Sequence, residues 1–184
     1  MSTNKKSIVT AILLDTETTG TSNNDQIIEY AHTLFQVDME SGELVDILDK
    51  YSALQEPTVE INPFSQAVHG LGISDLRGHS LNLTHIEKNL RYAQFVLAHN
   101  VGFDKRFVSK LIPGVERMNW RCSMRSVDWL AQGIASRKME DIIRFYKIRA
   151  TARHRAADDV HCTLEALQQL CVLSGKPHLL SLLK

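Results

Sequence analysis

The strongest constraint on the fold is a nearly unbroken apolar or β-branched run at residues 8–14, followed by carboxylates at Asp15 and Glu17. Such a run predicts a strand that is buried on both faces and ends at Asp15. Side chains alternate along extended chain, so the two carboxylates would leave on one side, with Cα atoms roughly 6.6 Å apart if the strand continues. They would repel each other unless a cation lay between them, and a divalent metal ion is the simplest candidate. The alternative is a polar turn, with Asp15 as a cap and Glu17 in water.

Length and charge set broad limits on the kind of protein. We expect residues 1–184 to form a single domain that buries its core without disulfides. Lysine and arginine (21) balance aspartate and glutamate (21), so net charge does not favour tight, non-specific binding to nucleic acid. Any contact with a polyanion must therefore be local.

The cysteines and the N-terminus indicate where the protein works. Cys122, Cys162 and Cys171 are odd in number and lack a Cys-x-x-Cys spacing, which favours buried free thiols over disulfides or zinc. Residues 1–7 are polar, and the apolar run that follows is too short for a membrane span and lacks a cleavage pattern. We expect a cytoplasmic protein with no membrane association.

Strand and helix patterns alternate after an initial run of strands, which predicts an α/β fold with helices against a mixed sheet. After the first strand, we expect strands at 26–37, 43–54, 95–98 and 120–124. Helices are expected from Asn62-Pro63 toward His69, from a capping box at Thr84 and Glu87 to about residue 92, and at 102–111, 126–131, 139–146 and 158–173.

Two further polar clusters lie where a strand or loop leads into a helix: residues 99–104 and residues 154–159. The first places Asp104 in the first turn of a helix, where the helix dipole favours a carboxylate even without a function. In the last long helix, a buried stripe is predicted at Val160, Leu164, Leu167 and Cys171.

Asp159 flanks this stripe, whereas Asp158 points nearly the opposite way, toward solvent. His154 would lie in the loop before the helix, free to approach the site. Asp15, Glu17, Asp104 and Asp159 together supply hard oxygen ligands, which favour two Mg²⁺ or Mn²⁺ ions about 3.5 to 4 Å apart, the usual clamp for displacement at a phosphodiester.

The three segments at 15–20 (DTETTG), 99–104 (HNVGFD) and 154–159 (HRAADD) resemble, in order, the three motifs of the DEDDh (DnaQ-like) 3′-to-5′ exonuclease family. Within it, the chain is most similar to the epsilon proofreading subunits of bacterial DNA polymerase III. The resemblance implies a ribonuclease H-like fold with a central five-stranded mixed sheet. It also implies hydrolysis of phosphodiester bonds at 3′ ends, with release of nucleoside 5′-monophosphates.

The resemblance also implies roles for individual residues. Asp15, Glu17 and Asp159 would hold one metal ion, Asp15 would bridge to a second ion, and Asp104 would act on that second ion. His154 would take the proton from the attacking water.

The resemblance further implies substrate contacts from Thr18, His69, Asn100 and Phe103. For His69, a role in capping helix carbonyls is an equally open alternative. For Phe103, a position in the core is the favoured alternative.

A local basic stretch precedes the third motif. Residues 142–157 contain no acidic residue but include Arg144, Lys147, Arg149, Arg153 and Arg155. We interpret this stretch as steering a nucleic-acid backbone toward the metals, the alternative being an ordinary solvated surface. His32, His79, His85, His161 and His178 show no ligand spacing, and surface or helix-flank roles suffice for them.

The leading hypothesis is a metal-dependent 3′-to-5′ exonuclease that acts on single-stranded or frayed DNA 3′ ends, in proofreading or repair. An exoribonuclease that trims RNA 3′ ends uses the same chemistry, and a non-catalytic replisome or nucleic-acid adaptor is a third alternative. DNA polymerase subunits are expected partners.

Relatives tethered to a polymerase carry a C-terminal extension, whereas this chain stops at Lys184. A free-standing enzyme or a domain of a longer protein therefore fits equally.

Overall fold

The computed structural model describes residues 7–151 and 154–184. Five strands form one mixed sheet, in the spatial order β3-β2-β1-β4-β5. β1 pairs antiparallel with β2 and parallel with β4, β2 pairs antiparallel with β3, and β4 pairs parallel with β5. The strands are β1 (Ile8–Thr18), β2 (Ile27–Asp38), β3 (Leu44–Leu54), β4 (Phe95–Ala98) and β5 (Trp120–Cys122). The predicted α/β class with a five-stranded mixed sheet is confirmed.

Helices cover both faces of the sheet. They are α1 (Pro63–His69), α2 (Ile73–Leu76), α3 (Leu83–Tyr92), α4 (Val101–Leu111), α5 (Ser123–Ser126), α6 (Met139–Tyr146), α7 (Ala156–Gln168) and α8 (His178–Leu183), with 3₁₀ turns at Val115–Arg117 and Leu130–Gln132.

Alternation along β1 divides the core into two layers. Ala11 and Leu13 face a cluster that includes residues of α6, α7 and α8, whereas Ile12 and Leu14 face one that includes residues of α3 and α4. β1 is therefore buried on both faces, as the apolar run predicts. Its position at the centre of the sheet fixes where the polar residues after Leu14 can lie.

β1 continues beyond the predicted end at Asp15. The strand includes Thr18, with Asp15 opposite Ala31 and Glu17 opposite Glu29 on β2. The pairing with β2 supplies backbone partners to a segment that its side chains alone would mark as a turn. Asp15 and Glu17 are consequently held on a regular strand.

The predicted helix at 126–131 is wrong. α5 ends at Ser126, and a 3₁₀ turn follows only at Leu130–Gln132. Trp129 is fully buried between them, and its indole Nε1 donates to the carbonyl of Ser123 at 2.8 Å. Burial of this large side chain takes precedence over local helix propensity.

The predicted helix at 158–173 is too long. α7 ends at Gln168, and Gln169 turns into an extended conformation that leads to a bridge between Leu170 and Pro177. Val160, Leu164 and Leu167 are buried as predicted, but Cys171 lies beyond the helix and is only partly buried. Helix α8 was not predicted; its four leucines are buried, and three of them, Leu179, Leu182 and Leu183, pack in the same core cluster.

The cap of α3 is also misassigned. Asn82 is the N-cap, and its side chain accepts a hydrogen bond from the amide of His85 at 3.0 Å. Glu87 pairs with Arg91 on the helix surface instead of completing a capping box with Thr84. Several adjacent polar residues could cap this helix, and the pattern alone did not distinguish them.

The structure bears on two expectations, that the cysteines are buried free thiols and that no segment spans a membrane. Cys122, Cys162 and Cys171 are all free thiols, although only Cys162 is buried. Among the described residues, no helix combines the length and apolar character needed to cross a bilayer.

We predict that Leu97→Ala lowers the free energy of unfolding by about 2 to 5 kcal/mol, because it opens a cavity beneath the central strands. Denaturant titration followed by circular dichroism measures the change. Leu173→Ala is the matched control, since Leu173 is 80% exposed and should change stability by less than about 0.5 kcal/mol. Equal effects of the two substitutions would contradict this assignment of the core.

Candidate active site

The end of β1 places two carboxylates on one side of the sheet. Asp15 and Glu17 continue the row of Ala11 and Leu13, on the face covered by α7. Thr16 continues the opposite row, toward α4, where its Oγ1 donates to Asp104 Oδ1 at 2.9 Å. One strand thus supplies acidic side chains to the α7 side and a hydroxyl donor to the α4 side.

Asp104 lies in the first turn of α4 and is only 2% exposed. The short strand β4 leads directly into this helix, as the sequence predicts. Because β4 pairs in parallel with β1, the helix that follows β4 starts beside the end of β1. This parallel pairing brings Asp104 next to the β1 carboxylates.

Asp159 and His154 come from the start of α7 and the turn before it. His154 lies outside the helix, as predicted, and has a left-handed backbone with φ of 55°. Glu17, His154 and Asp159 each offer a ligand atom, and these atoms all lie within 4.8 Å of one another. The third motif therefore meets the first.

All five residues predicted to be catalytic line a single cavity of about 210 Å³. The predicted residues in its wall are Asp15, Glu17, Asp104, His154 and Asp159, together with Asn100 and Phe103. No role is predicted from the sequence for the other residues that line the cavity, which are Thr16, His99, Met139, Glu140, Ile143 and Thr163. Three segments that are far apart in the chain thus share one small space.

The carboxylates in this cavity disfavour one another's charge. Burial, and then repulsion by Asp104, Asp159 and other acidic groups, raises the pKa of Asp15 well above its usual value. Burial followed by repulsion from Asp159 and Glu29 raises the pKa of Glu17 to about 8. Burial raises the pKa of Asp104 to about 7, although the hydrogen bond from Thr16 opposes this change. The cluster therefore has more negative charge than the protein groups around it can neutralise.

This donor set fits the divalent ion that the resemblance implies. Buried carboxylate oxygens, whose pKa values are raised by burial and, for Asp15 and Glu17, also by repulsion, are the ligands that a hard cation such as Mg²⁺ or Mn²⁺ prefers. Asp15, Glu17, Asp104 and Asp159 are the residues that could hold such an ion. Cys122 and Cys171 do not line this cavity, so its walls offer no thiolate for a zinc site.

The Glu29–Arg155 ion pair was missed by sequence reasoning. Glu29, on β2, is only 3% exposed, and its carboxylate accepts from Arg155 Nε at 3.0 Å and from Arg155 Nη2 at 2.9 Å. It also accepts from the amide of Ala156, the first residue of α7, at 3.2 Å. The pair therefore fastens the start of α7 to the sheet directly opposite Glu17. The position of Glu29 in an otherwise buried strand was the available signal.

The predicted orientation of Asp158 is wrong. Asp158 is buried, and its carboxylate accepts from the amide of Thr151 at 3.0 Å and also from the Thr151 hydroxyl. A helical wheel describes the faces of α7 alone and does not include Thr151, which precedes the helix. Asp158 thus binds Thr151, whereas Asp159 lines the cavity.

The basic stretch contributes less free positive charge than predicted. Arg155 pairs with Glu29, and Arg144 pairs with Asp141 at 3.0 Å. Lys147 and Arg149 are exposed, and Arg153 lies outside the described residues. The part of this stretch available to a phosphate backbone is accordingly smaller than the sequence suggests.

The residues predicted to contact substrate occupy different environments. Thr18 is buried, and its hydroxyl donates to the carbonyl of Gly20 at 2.6 Å. Asn100 is exposed at the start of α4 and makes no side-chain capping bond. Phe103 both lines the cavity and packs against the core, with its ring centroid 5.0 Å from that of Phe107.

His69 ends α1 and is 5% exposed. Its Nδ1 accepts from the amide of Leu71 at 3.0 Å, so it does not cap helix carbonyls through this atom. Its buried Nε2 has no hydrogen-bond partner among the described residues. Thr18 and His69 do not line the central cavity.

A cluster of carboxylates at the strand ends of such a mixed sheet is typical of nucleases, and comparison with known proteins identifies the family of this chain. A family model described as an exonuclease (RNase_T) matches residues 12–167, which is most of the chain. The chain therefore belongs to this exonuclease family. The three motifs predict a DEDDh exonuclease, and this prediction is confirmed.

Curated relatives and solved structures agree with this assignment. PolC-type DNA polymerase III from Caldanaerobacter subterraneus subsp. tengcongensis is 25% identical over 179 residues, and that from Thermotoga maritima is 26% identical over 173 residues. These matches cover 89% and 91% of this chain but only 12% of the length of each relative.

The structural neighbours show a common fold. A structure of exonuclease X in complex with 5′ overhanging duplex DNA has a TM-score of 0.65 at 23% identity, covering 85% of this chain and 88% of that chain. A structure of exonuclease I has a TM-score of 0.71 at 17% identity, and the match covers 94% of this chain and 42% of that chain. The predicted ribonuclease H-like fold is thereby confirmed.

We predict that Arg155→Ala lowers the free energy of unfolding by about 2 kcal/mol, because it leaves the Glu29 carboxylate buried without its charged partner. Denaturant titration at neutral pH measures the change. Arg144→Ala is the matched control, since its ion pair lies on the surface and should contribute less than about 0.5 kcal/mol. If the two variants are equally stable, Arg155 does not fasten α7 to the sheet.

Proposed function

We propose that this chain is a metal-dependent 3′-to-5′ exonuclease that hydrolyses DNA 3′ ends and releases nucleoside 5′-monophosphates. The observation that carries the proposal is the convergence of four carboxylates and one histidine on a single cavity within an exonuclease fold. Similarity to PolC-type DNA polymerase III and to structures of exonucleases in complex with DNA favours DNA over RNA as the substrate. Proofreading or repair is the corresponding cellular role.

In this proposal, Asp15, Glu17, Asp104 and Asp159 bind two Mg²⁺ or Mn²⁺ ions. The ions would neutralise the charge that develops on the phosphate and lower the pKa of the attacking water. The carboxylates hold their positions because β1, α4 and α7 are fixed by sheet pairing, by the Thr16–Asp104 hydrogen bond and by the Glu29–Arg155 pair. This preorganisation means that the protein groups need little rearrangement during the reaction.

His154 is the proposed general base. Its imidazole lies beside Glu17 and Asp159 at the edge of the cavity and can accept a proton from the attacking water. The next residue, Arg155, is held at the start of α7 by its ion pair with Glu29. The base is thus held by the same helix that carries Asp159.

Substrate contacts are proposed for Thr18, His69, Asn100 and Phe103. The Nε2 of His69 is a buried polar atom near the backbone of Thr18, and a nucleotide oxygen or base edge could accept a hydrogen bond from it. Asn100 and Phe103 lie in the cavity wall, where the terminal nucleotide would pass. The exposed Lys147 and Arg149 are the remaining described cations of the basic stretch that could meet the strand backbone.

Partners and context belong to the same proposal. We propose single-stranded or frayed DNA 3′ ends as the substrate and DNA polymerase subunits as partners, in a cytoplasmic protein whose residues 1–184 form one exonuclease domain. An exoribonuclease and a non-catalytic adaptor are the competing functions.

The decisive experiment incubates the purified chain with a single-stranded DNA labelled at its 5′ end, in Mn²⁺ or Mg²⁺ and in chelator. We expect a ladder that shortens from the 3′ end, mononucleotide products and no reaction in chelator. A matched RNA oligonucleotide measures preference, and faster cleavage of RNA would favour the exoribonuclease. Absence of cleavage of either strand would favour the adaptor.

We predict that removing a metal ligand and removing the general base have different effects on metal binding and on the reaction rate. Asp15→Ala should lose metal binding and activity together, because a central ligand is removed. His154→Ala should bind metal as the wild type does while its rate falls by about 10²- to 10⁴-fold. Calorimetric titration with Mn²⁺ and single-turnover kinetics separate the two effects, and loss of metal binding in His154→Ala would argue against a base.

We predict that Asp159→Ala abolishes activity while Asp158→Ala retains a measurable fraction. The reason is that Asp159 lines the cavity, whereas Asp158 lies outside it and binds Thr151. Single-turnover rates at saturating Mn²⁺ measure both variants. An inactive Asp158→Ala beside an active Asp159→Ala would reverse the assignment.

A further inference from the structure

A second cluster of ligand-type side chains lies outside the exonuclease cavity. His32 is on β2, Asp49 is on β3, and His85 and Asn89 are one turn apart on α3. None of these four residues lines the cavity described above. His32 is 1% exposed and Asn89 is 7% exposed, so the expectation of surface roles for the histidines is wrong for His32.

Four polar atoms of this cluster converge within hydrogen-bond distance. Asp49 Oδ2 lies 2.9 Å from His32 Nε2, 2.9 Å from His85 Nε2 and 2.8 Å from Asn89 Nδ2. Asn89 Nδ2 is also 3.2 Å from His32 Nε2 and 3.1 Å from His85 Nε2. The two imidazole nitrogens thus lie close to both Asp49 Oδ2 and Asn89 Nδ2, and the ligand atoms of His32, Asp49 and His85 all lie within 4.8 Å of one another.

Hydrogen bonding alone satisfies this arrangement poorly. A ring nitrogen of neutral histidine is either a donor or an acceptor, so an Nε2–H that donates to Asp49 cannot also accept from Asn89. If both histidines donate to Asp49, the Asn89 amide must approach two other donors at 3.1–3.2 Å. At least one nitrogen–nitrogen contact would then be repulsive.

A bound metal ion resolves the conflict. Tetrahedral Zn²⁺ with ligand distances of about 2.0 to 2.1 Å places neighbouring ligand atoms about 3.3 Å apart. The separations here are 2.8–3.2 Å, so movements of a few tenths of an ångström would admit the ion. Rotation of the Asn89 amide would present its oxygen, since the two amide atoms occupy equivalent positions.

The surrounding side chains orient the ligands. His32 Nδ1 lies 3.2 Å from the hydroxyl of Tyr30, a contact that can fix the tautomer with Nε2 free to bind metal. The ring of Tyr51 packs against both imidazoles, with centroids 5.6 Å from His32 and 5.0 Å from His85. The Tyr51 hydroxyl accepts from the amide of Asn82, the N-cap of α3. Two outer tyrosines therefore hold the imidazoles in place.

We propose that His32, Asp49, His85 and Asn89 form a structural Zn²⁺ site that fastens α3 to the β2–β3 side of the sheet. Two imidazoles and one carboxylate favour Zn²⁺ over Mg²⁺, in contrast to the carboxylate cavity. A site closed by four protein ligands serves stability and not catalysis. This proposal stands independently of the proposed exonuclease activity.

The test uses the full chain in an Asp15→Asn background, which weakens the carboxylate site, with Mg²⁺ in excess. Co²⁺ is added as a spectroscopic probe, because tetrahedral Co²⁺ absorbs strongly in the visible range and octahedral Co²⁺ at oxygen ligands does so weakly. Zn²⁺ binding is measured by equilibrium dialysis, and thermal unfolding is followed with and without Zn²⁺. The ligand variant is His85→Ala, and His79→Ala is the matched control because His79 is an exposed histidine.

We expect one tetrahedral Co²⁺ per chain, displaced by Zn²⁺, and a Zn²⁺-dependent rise in Tm. His79→Ala should behave in the same way, whereas His85→Ala should lose the Co²⁺ bands and bind Zn²⁺ more than about 100-fold more weakly. Octahedral Co²⁺ spectra in the parent chain, or unchanged Zn²⁺ binding in His85→Ala, would overturn the proposal. An octahedral parent spectrum overturns the proposal even if His85→Ala does not fold.

Discussion

Repulsion among buried carboxylates is the constraint on which the rest of this structure depends. Burial raises the pKa of Asp15, Glu17 and Asp104, and repulsion by neighbouring carboxylates adds to the increase for Asp15 and Glu17, an arrangement that opposes folding unless other contacts offset it. β1 offsets it by lying at the centre of the sheet, where strands on both sides and apolar layers on both faces fix it. Only so firmly held a strand can present two carboxylates at a fixed spacing. The carboxylate cluster therefore depends on the apolar run that precedes it.

Charged residues near the cavity divide into those that face it and those that hold its walls. Arg155 and Asp158 adjoin the third motif, but one pairs with Glu29 and the other anchors Thr151. Both contacts fix α7, one at its first turn against β2 and the other at the loop before it. The orientation of Asp159 follows from this double attachment, because a helix held at both points cannot rotate about its axis.

Much of the fold and most of the site could be predicted from sequence because both follow local patterns. The apolar runs of β1 and β4, the residues after them and the segment at 154–159 predicted the three elements that meet at the cavity. The errors at Trp129, Cys171 and Asp158 have a different cause, since each depends on packing that the pattern of one helix does not describe. Helix periodicity describes one helix in isolation, whereas the buried Asp158 carboxylate accepts hydrogen bonds from Thr151, which lies outside that helix. Glu29 escaped notice for the same reason, because its partner is 126 residues away.

The backbone of His154 has a consequence of its own. With φ of 55°, this residue adopts a conformation that costs a residue with a side chain roughly 1 kcal/mol and a glycine almost nothing. Folding alone would thus prefer glycine at this position, while proton transfer requires an imidazole. A search for more heat-resistant variants of this chain would be drawn to the very position that the proposed chemistry can least spare.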